Sequence, residues 1–75
     1  MTVKPRGVRV IHITGEYIKL DALLKYATIA STGGEAKMLI CDGDVFVGGI
    51  SCTQRGKKIR VGDIVRYGGS TLLVK

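Results

Sequence analysis

A short basic segment, residues 55–60, carries the side chains best suited to binding a polyanion. It reads RGKKIR and contains no acid. Its four cationic residues are Arg55, Lys57, Lys58 and Arg60. Guanidinium and ammonium groups neutralise phosphates and release condensed counterions, which gives affinity that is independent of base sequence. The segment therefore indicates a nucleic-acid partner, although a solvated loop that only keeps the protein soluble would have the same composition.

The distribution of charge along the chain also favours a polyanionic partner. The formal net charge of the 75 residues is +6. Residues 1–9 contribute +3, residues 10–53 contribute −2, residues 54–60 contribute +4 and residues 61–75 contribute +1. Positive charge concentrated in this way is typical of nucleic-acid-binding proteins. We expect residues 1–7 to form a flexible basic arm and residues 8–75 to form one small domain.

A second candidate phosphate site is the start of a predicted helix. Thr32, Gly33, Gly34 and Glu35 fit a capping box, in which the threonine hydroxyl and the glutamate carboxylate satisfy backbone amides. Free amides at a helix start bind phosphate, but the capping box competes for the same donors. Each glycine lowers helix propensity by about 1 kcal/mol at an interior position. We expect the two glycines to permit close backbone approach, either by a neighbouring element or by a ligand.

Apolar spacing predicts the two helices that position these residues. The stripes consist of Leu20, Leu23, Leu24 and Ala27, and of Ala36, Leu39 and Ile40. Asp21 lies near the first helix start, where a carboxylate stabilises free amides. Gly43 is placed to end the second helix in a left-handed turn. The same spacing points Lys25, Lys37 and Cys41 into solvent.

Runs of β-branched residues and paired glycines predict a sheet. Val8–Thr14 is typical of a strand that joins this sheet. Two Gly-Gly hairpins are predicted, one joining Val45–Val47 to Ile50–Cys52 and one joining Ile64–Tyr67 to Ser70–Val74. In the first hairpin, Val45, Val47, Ile50 and Cys52 should share one side of the sheet. The predicted fold class is therefore α+β, with two short adjacent helices packed on a small, mostly antiparallel sheet.

The residues of an enzyme or a metal site are not present in sufficient number. The sequence has one histidine, His12, and two cysteines without a CxxC spacing, Cys41 and Cys52. A structural zinc site needs four ligands, and no nucleophile–base arrangement is evident. We expect no catalytic residue, metal, cofactor or small-molecule substrate, and two reduced thiols. No apolar run approaches the roughly 18 residues of a membrane span, so we expect a cytoplasmic protein without membrane contact.

Several of these motifs occur together in one known family. They are LD-x-x-L from Leu20 to Leu24, a hydroxyl residue four before Ala36, the run Leu39-Ile40-x-x-Gly43-x-Val45-x-Val47-x-Gly49, and Gly62-Asp63 before a strand. The pattern, over residues 19–67, resembles the αL-motif RNA-binding domain named after small-subunit ribosomal protein four. Ser31–Lys37 and Arg55–Lys58 are similar to the STGGEAK and RGKK runs of its small stand-alone bacterial members. Tyrosyl-tRNA synthetases, pseudouridine synthases and a heat-shock protein acting on stalled large ribosomal subunits also carry this domain.

The resemblance implies a set of RNA contacts, because the second helix and the loop after the hairpin lie against structured RNA in this family. By position these are Thr32, Lys37, Arg55, Lys57 and Lys58, with Lys19 and Lys25 flanking them. The sequence departs from the family at Gly33, where many members have arginine, and at Gly48, where many have asparagine. Binding is therefore expected to depend more on residues 55–60 and on the amides of Gly33 and Gly34.

The predicted function is non-catalytic recognition of structured RNA, ribosomal or transfer RNA, by a monomer, and the ribosome is a candidate partner. The predicted RNA-binding residues are Lys19, Lys25, Thr32, Gly33, Gly34, Lys37, Arg55, Lys57, Lys58 and Arg60. The grooves of A-form RNA favour recognition by shape. The aromatic residues are scattered and are predicted to serve packing. The alternatives are a protein-interaction module, for which Met38 with Ile29 is a small candidate surface, and a duplex-DNA-binding accessory module.

Overall fold

The computed structural model describes residues 7–75. Its helices are α1, Leu20–Tyr26, and α2, Gly33–Cys41. Its strands are β1 Gly7–Ile11, β2 Ile18–Lys19, β3 Val45–Val47, β4 Ile50–Ser51, β5 Lys58–Ile59, β6 Ile64–Tyr67 and β7 Ser70–Val74. The predicted basic arm lies outside the described residues, apart from Gly7, which begins β1.

The strands of residues 7–75 form a five-stranded sheet in the order β1-β7-β6-β3-β4 and a separate antiparallel pair of β2 with β5. In the larger sheet β1 runs parallel to β7, and the other neighbours are antiparallel. This arrangement confirms the predicted α+β class. The first strand joins the sheet as expected but ends at Ile11 instead of Thr14. Its partner β7 ends at Val74. Beyond that strand, the Lys75 amide donates to the Ile11 carbonyl, and the Lys75 carbonyl accepts from the Ile13 amide.

The core lies between the helices and one face of the larger sheet. The predicted stripe residues Leu20, Leu23, Leu24, Ala27, Ala36 and Ile40 are fully buried. They pack with Val45, Val65 and Leu72 of the sheet. Lys25, Lys37 and Cys41 are exposed, as the spacing predicts. Burial of these side chains stabilises the two helices, since helices this short are marginal in isolation.

Residues in the left-handed region end both helices and form the first hairpin turn. Thr28, with a φ of 60°, follows α1, and its amide bonds to the Lys25 carbonyl at 3.0 Å. Gly43, with a φ of 81°, follows α2 as predicted. Gly48 and Gly49 have φ values of 60° and 84°, which suit a two-residue hairpin. Backbone preference accounts for the three glycines, whereas the left-handed region is unfavourable for a β-branched residue such as Thr28.

The pairing of the first hairpin confirms the predicted register. Val47 lies opposite Ile50, and the Cys52 amide donates to the Val45 carbonyl at 2.9 Å. β4 is one residue shorter than predicted. Cys52 packs, half-buried, against the core, and Cys52 and Cys41 are both free thiols.

The second face of the larger sheet carries apolar side chains that neither helix covers. The strand registers place Val8, Val10, Phe46, Ile64 and Leu73 on it. Four of these five are exposed, and Val8 is 62% exposed. We call this surface the outer face, and the sequence did not predict it.

Candidate nucleic-acid interface

The basic loop, residues 55–60, is attached to the start of α1 through its backbone. The Lys57 carbonyl accepts a hydrogen bond from the Leu20 amide at 2.9 Å, and the Arg55 carbonyl accepts one from the Asp21 amide at 3.1 Å. Amides in the first turn of a helix have no acceptor within the helix, and the side chain of Lys19 at the N-cap makes no capping bond. The loop therefore caps α1 with its carbonyls while its cationic side chains remain exposed.

The short strand β5 sets the direction of the side chains in the second half of the basic loop. It pairs with β2, so that Ile18 lies opposite Ile59 and Lys19 lies opposite Lys58. Ile59 is fully buried and belongs to the core. Because side chains alternate along a strand, Lys58 and Arg60 on either side of Ile59 point into solvent.

The pairing of β2 with β5 places two positive charges directly opposite each other. Like charges at opposed positions in a sheet destabilise it. The Lys58 Nζ atom lies 4.9 Å from the centre of the Tyr17 ring, and this cation–π contact offsets part of the repulsion. An anion between Lys19 and Lys58 would remove the repulsion. A phosphate-binding surface therefore explains this pair of lysines better than a role in stabilising the fold alone does.

Five exposed cations lie together at this end of α1, and we call them the basic surface. They are Lys19, Arg55, Lys57, Lys58 and Arg60, all of which the sequence predicted. The sequence did not predict that backbone hydrogen bonds hold their loop against the helix.

The start of α2 contains the predicted capping box with one difference. The Thr32 Oγ1 atom accepts a hydrogen bond from the Glu35 amide at 3.1 Å. The Glu35 carboxylate accepts one from the Ser31 amide at 2.6 Å, one residue before the position expected for a capping box. The Glu35 amide therefore already donates a hydrogen bond and is not available to a phosphate. This is the competition that the predicted capping box implies.

Gly33 and Gly34 are exposed, and their amides bond to no acceptor within residues 7–75. A Cβ atom at Gly33 would meet nothing within 4 Å there, and one at Gly34 would meet only Thr32 Oγ1, at 3.9 Å. Neither glycine has a left-handed φ. In the described part of the chain no neighbouring element approaches these glycines, which excludes the first of the two predicted alternatives. Close approach of a ligand stays a prediction.

Replacing Gly33 or Gly34 by alanine separates stability from binding. Each change should raise the free energy of unfolding by up to about 1 kcal/mol, because alanine loses less backbone entropy in a helix. If a phosphate approaches these amides, the same change should weaken RNA binding. Urea denaturation and an RNA titration of each variant measure both effects. Greater stability with unchanged affinity would remove both glycines from the interface.

The predicted residues fall into two groups at opposite ends of α1. The basic surface lies at its start. Lys25 lies in its last turn, and the connector folds back there, since the Ile29 and Ala30 amides both bond to the Leu24 carbonyl. Thr32, Gly33 and Gly34 follow directly. Seven helical residues span about 10 Å, so a ligand that contacts both groups must bridge about that distance.

Two tyrosines near this surface differ from their predicted packing role. Tyr17 is 39% exposed and Tyr26 is 63% exposed. The helical spacing could have predicted the exposure of Tyr26, because this residue lies outside the apolar stripe of α1. Tyr17 precedes a two-residue strand, and no periodic pattern could assign its direction.

Within residues 7–75, no group of three or more metal-ligating side chains is assembled. The described part of the chain also lacks a helix of sufficient length and apolar character to cross a membrane.

Comparisons with known proteins agree with this geometry. Residues 11–75 match the model of the S4 domain family. The chain is 37% identical over 59 residues to the probable ribosome maturation protein RlbA of Bacillus subtilis (strain 168). That similarity covers 79% of this chain and 83% of the relative. The family match covers most of the chain and includes both helices, the first hairpin and the basic loop, and on this basis the chain belongs to the S4 domain family.

Proposed function

We propose that this protein recognises structured RNA, ribosomal or transfer RNA, without catalysing a reaction. The observation that carries the proposal is the basic loop, whose carbonyls cap α1 while its cationic side chains face solvent. Because the backbone of the loop is already ordered, binding costs little backbone entropy, and the entropy lost is mainly that of the side chains that contact phosphates. S4 domains are RNA-binding modules, and membership in that family supports the same partner.

We infer that the RNA belongs to the ribosome or acts on it, and that the protein works in the cytoplasm. The relative's name describes a probable ribosome maturation protein. The proposed contacts are the basic surface, Lys25 and Lys37, and the start of α2. Their two groups are separated by the length of α1, about 10 Å. A rigid pair of contact groups selects RNA by the spacing of its phosphates, which is recognition by shape.

The test is a titration of the protein into four nucleic acids, followed by fluorescence anisotropy. The four are ribosomal RNA fragments that fold, transfer RNA, duplex DNA and a single strand of RNA. We expect the folded RNAs to bind most tightly, with affinity that falls steeply as salt rises. Equal affinity for duplex DNA would favour the DNA-binding alternative and contradict shape recognition.

Absence of binding to all four nucleic acids would contradict the proposal and favour the protein-interaction alternative. The outer face would then be the surface to test, because exposed apolar patches commonly mark protein contacts. Its residues Val10 and Ile64 are on the side of the sheet away from the core. Substitutions there leave the basic surface unchanged, so the two hypotheses can be separated in one protein.

A further inference from the structure

A recess beside α1 combines aromatic, apolar and polar side chains that the proposed function does not use. It has a volume of about 210 Å³. Its lining residues are His12, Ile13, Thr14, Tyr17, Ile18 and Tyr26. They come from the segment that follows β1, from the residues at the start of β2 and from the last residue of α1. The recess thus combines two exposed tyrosines and one exposed histidine.

The size and lining of the recess suit one planar base. Pockets for drug-sized molecules begin at about 300 Å³, so this recess is too small for an extended ligand. Aromatic faces stack on nucleobases of any identity. The His12 imidazole and the Thr14 hydroxyl can hydrogen-bond to the edge of a base. Stacking with edge contacts is the usual way in which proteins bind bases that have left a helix.

The charges around the recess distinguish a nucleotide from an uncharged ligand. The Lys58 ammonium lies 4.9 Å from the centre of the Tyr17 ring, so the recess adjoins the basic surface. At the other end, Lys25 precedes Tyr26 in the last turn of α1. The recess therefore extends along α1 between the two groups of predicted contacts. A base bound there would have the Lys58 ammonium beside it to receive a flanking phosphate.

We propose that the recess holds one unpaired nucleotide of the structured RNA, stacked on Tyr26 and bordered by Tyr17. This inference rests on the proposed function and makes it more specific. The bases of a regular A-form duplex are stacked inside the helix and cannot enter the recess. The preferred ligand is therefore an RNA stem with a bulged or looped nucleotide, and fully paired RNA binds only through its phosphates.

The test compares a short RNA stem carrying one bulged 2-aminopurine with the same stem fully paired. The wild-type protein should bind the bulged stem at least about fivefold more tightly, since stacking of one base is commonly worth that much or more. The fluorescence of the 2-aminopurine should change when this base enters the recess. Tyr26→Ala should abolish the preference without changing the salt dependence, because tyrosine neutralises no phosphate. Tyr26→Phe should retain the preference, because it keeps the ring.

The control for this experiment is Met38→Ala on α2. Met38 is 66% exposed, similar to Tyr26, and does not line the recess. This variant should keep the full preference for the bulged stem. If the wild-type protein bound both stems with equal affinity and steep salt dependence, the proposal that the recess holds a nucleotide would be overturned, and the proposed function would remain intact. A preference that survives Tyr26→Ala would also overturn it, and failure to bind either stem would overturn both proposals.

Discussion

Replacing Arg55, Lys57 and Lys58 together by alanine is expected to reduce affinity for folded RNA by about two orders of magnitude near 0.1 M salt. Each phosphate contact contributes about 0.7 to 0.9 to the slope of log K against log salt. Three lost contacts should therefore flatten the slope by about two to three units. Anisotropy titrations of wild type and the triple variant at several salt concentrations measure both quantities.

The fold should survive this triple change. The loop contacts α1 through the carbonyls of Arg55 and Lys57, and alanine keeps both carbonyls. Removing Lys58 also relieves its repulsion with Lys19, at the expense of the contact with Tyr17. The two effects oppose each other, so we expect the melting temperature to change little. A large loss of stability would mean that the cations serve the fold.

The matched control for the triple variant removes cations elsewhere. Arg66 lies in β6 and Lys75 follows β7, so both are outside the two groups of predicted contacts. The double change Arg66→Ala/Lys75→Ala lowers net charge by two without touching the basic loop. For each charge removed, we expect this double change to flatten the slope of log K against log salt much less than the triple change does. Equal flattening per charge would indicate attraction to net charge and contradict a defined basic surface.

The sequence predicted the elements whose signals are local. Gly43 and the Gly48-Gly49 pair adopt the left-handed backbone that their positions require. The stripe from Leu20 to Ala27 is buried because four residues at helical spacing must share one face. The hairpin register followed from the number of residues in its turn. Each of these predictions depends on a few neighbouring residues, and each is confirmed.

The elements that the sequence could not predict depend on contacts between distant residues. β2 and β5 have two residues each, too few to show a period, and their pairing brings residues 18–19 to residues 58–59. Prediction of the outer face requires the order of the strands in the sheet, and hydrophobicity alone does not indicate that order. The aromatic recess forms only when the segment after β1 lies beside the end of α1. The identity of the basic residues was therefore predictable, whereas their arrangement was not.

The pairing of β2 with β5 gives Ile59 a role in both stability and binding. Ile59 is fully buried and joins the basic loop to the core. We expect Ile59→Ala to reduce the free energy of unfolding by about 2 to 5 kcal/mol, as for other large-to-small core changes. A chain of this length has a total stability of roughly 4 to 11 kcal/mol. The variant should therefore lose a large fraction of its stability, measured by urea denaturation.

The same substitution should weaken RNA binding without removing a charge. Loss of the Ile59 side chain leaves the loop held by fewer contacts, so that binding must order it at a cost in conformational entropy. The salt slope should stay near the wild-type value, because all the cations remain. Val61→Ala is the control, since Val61 lies two residues away and is 63% exposed; it should change stability by no more than about 0.5 kcal/mol. If Ile59→Ala had an effect as small as the control, the buried side chain would not be what positions the basic loop.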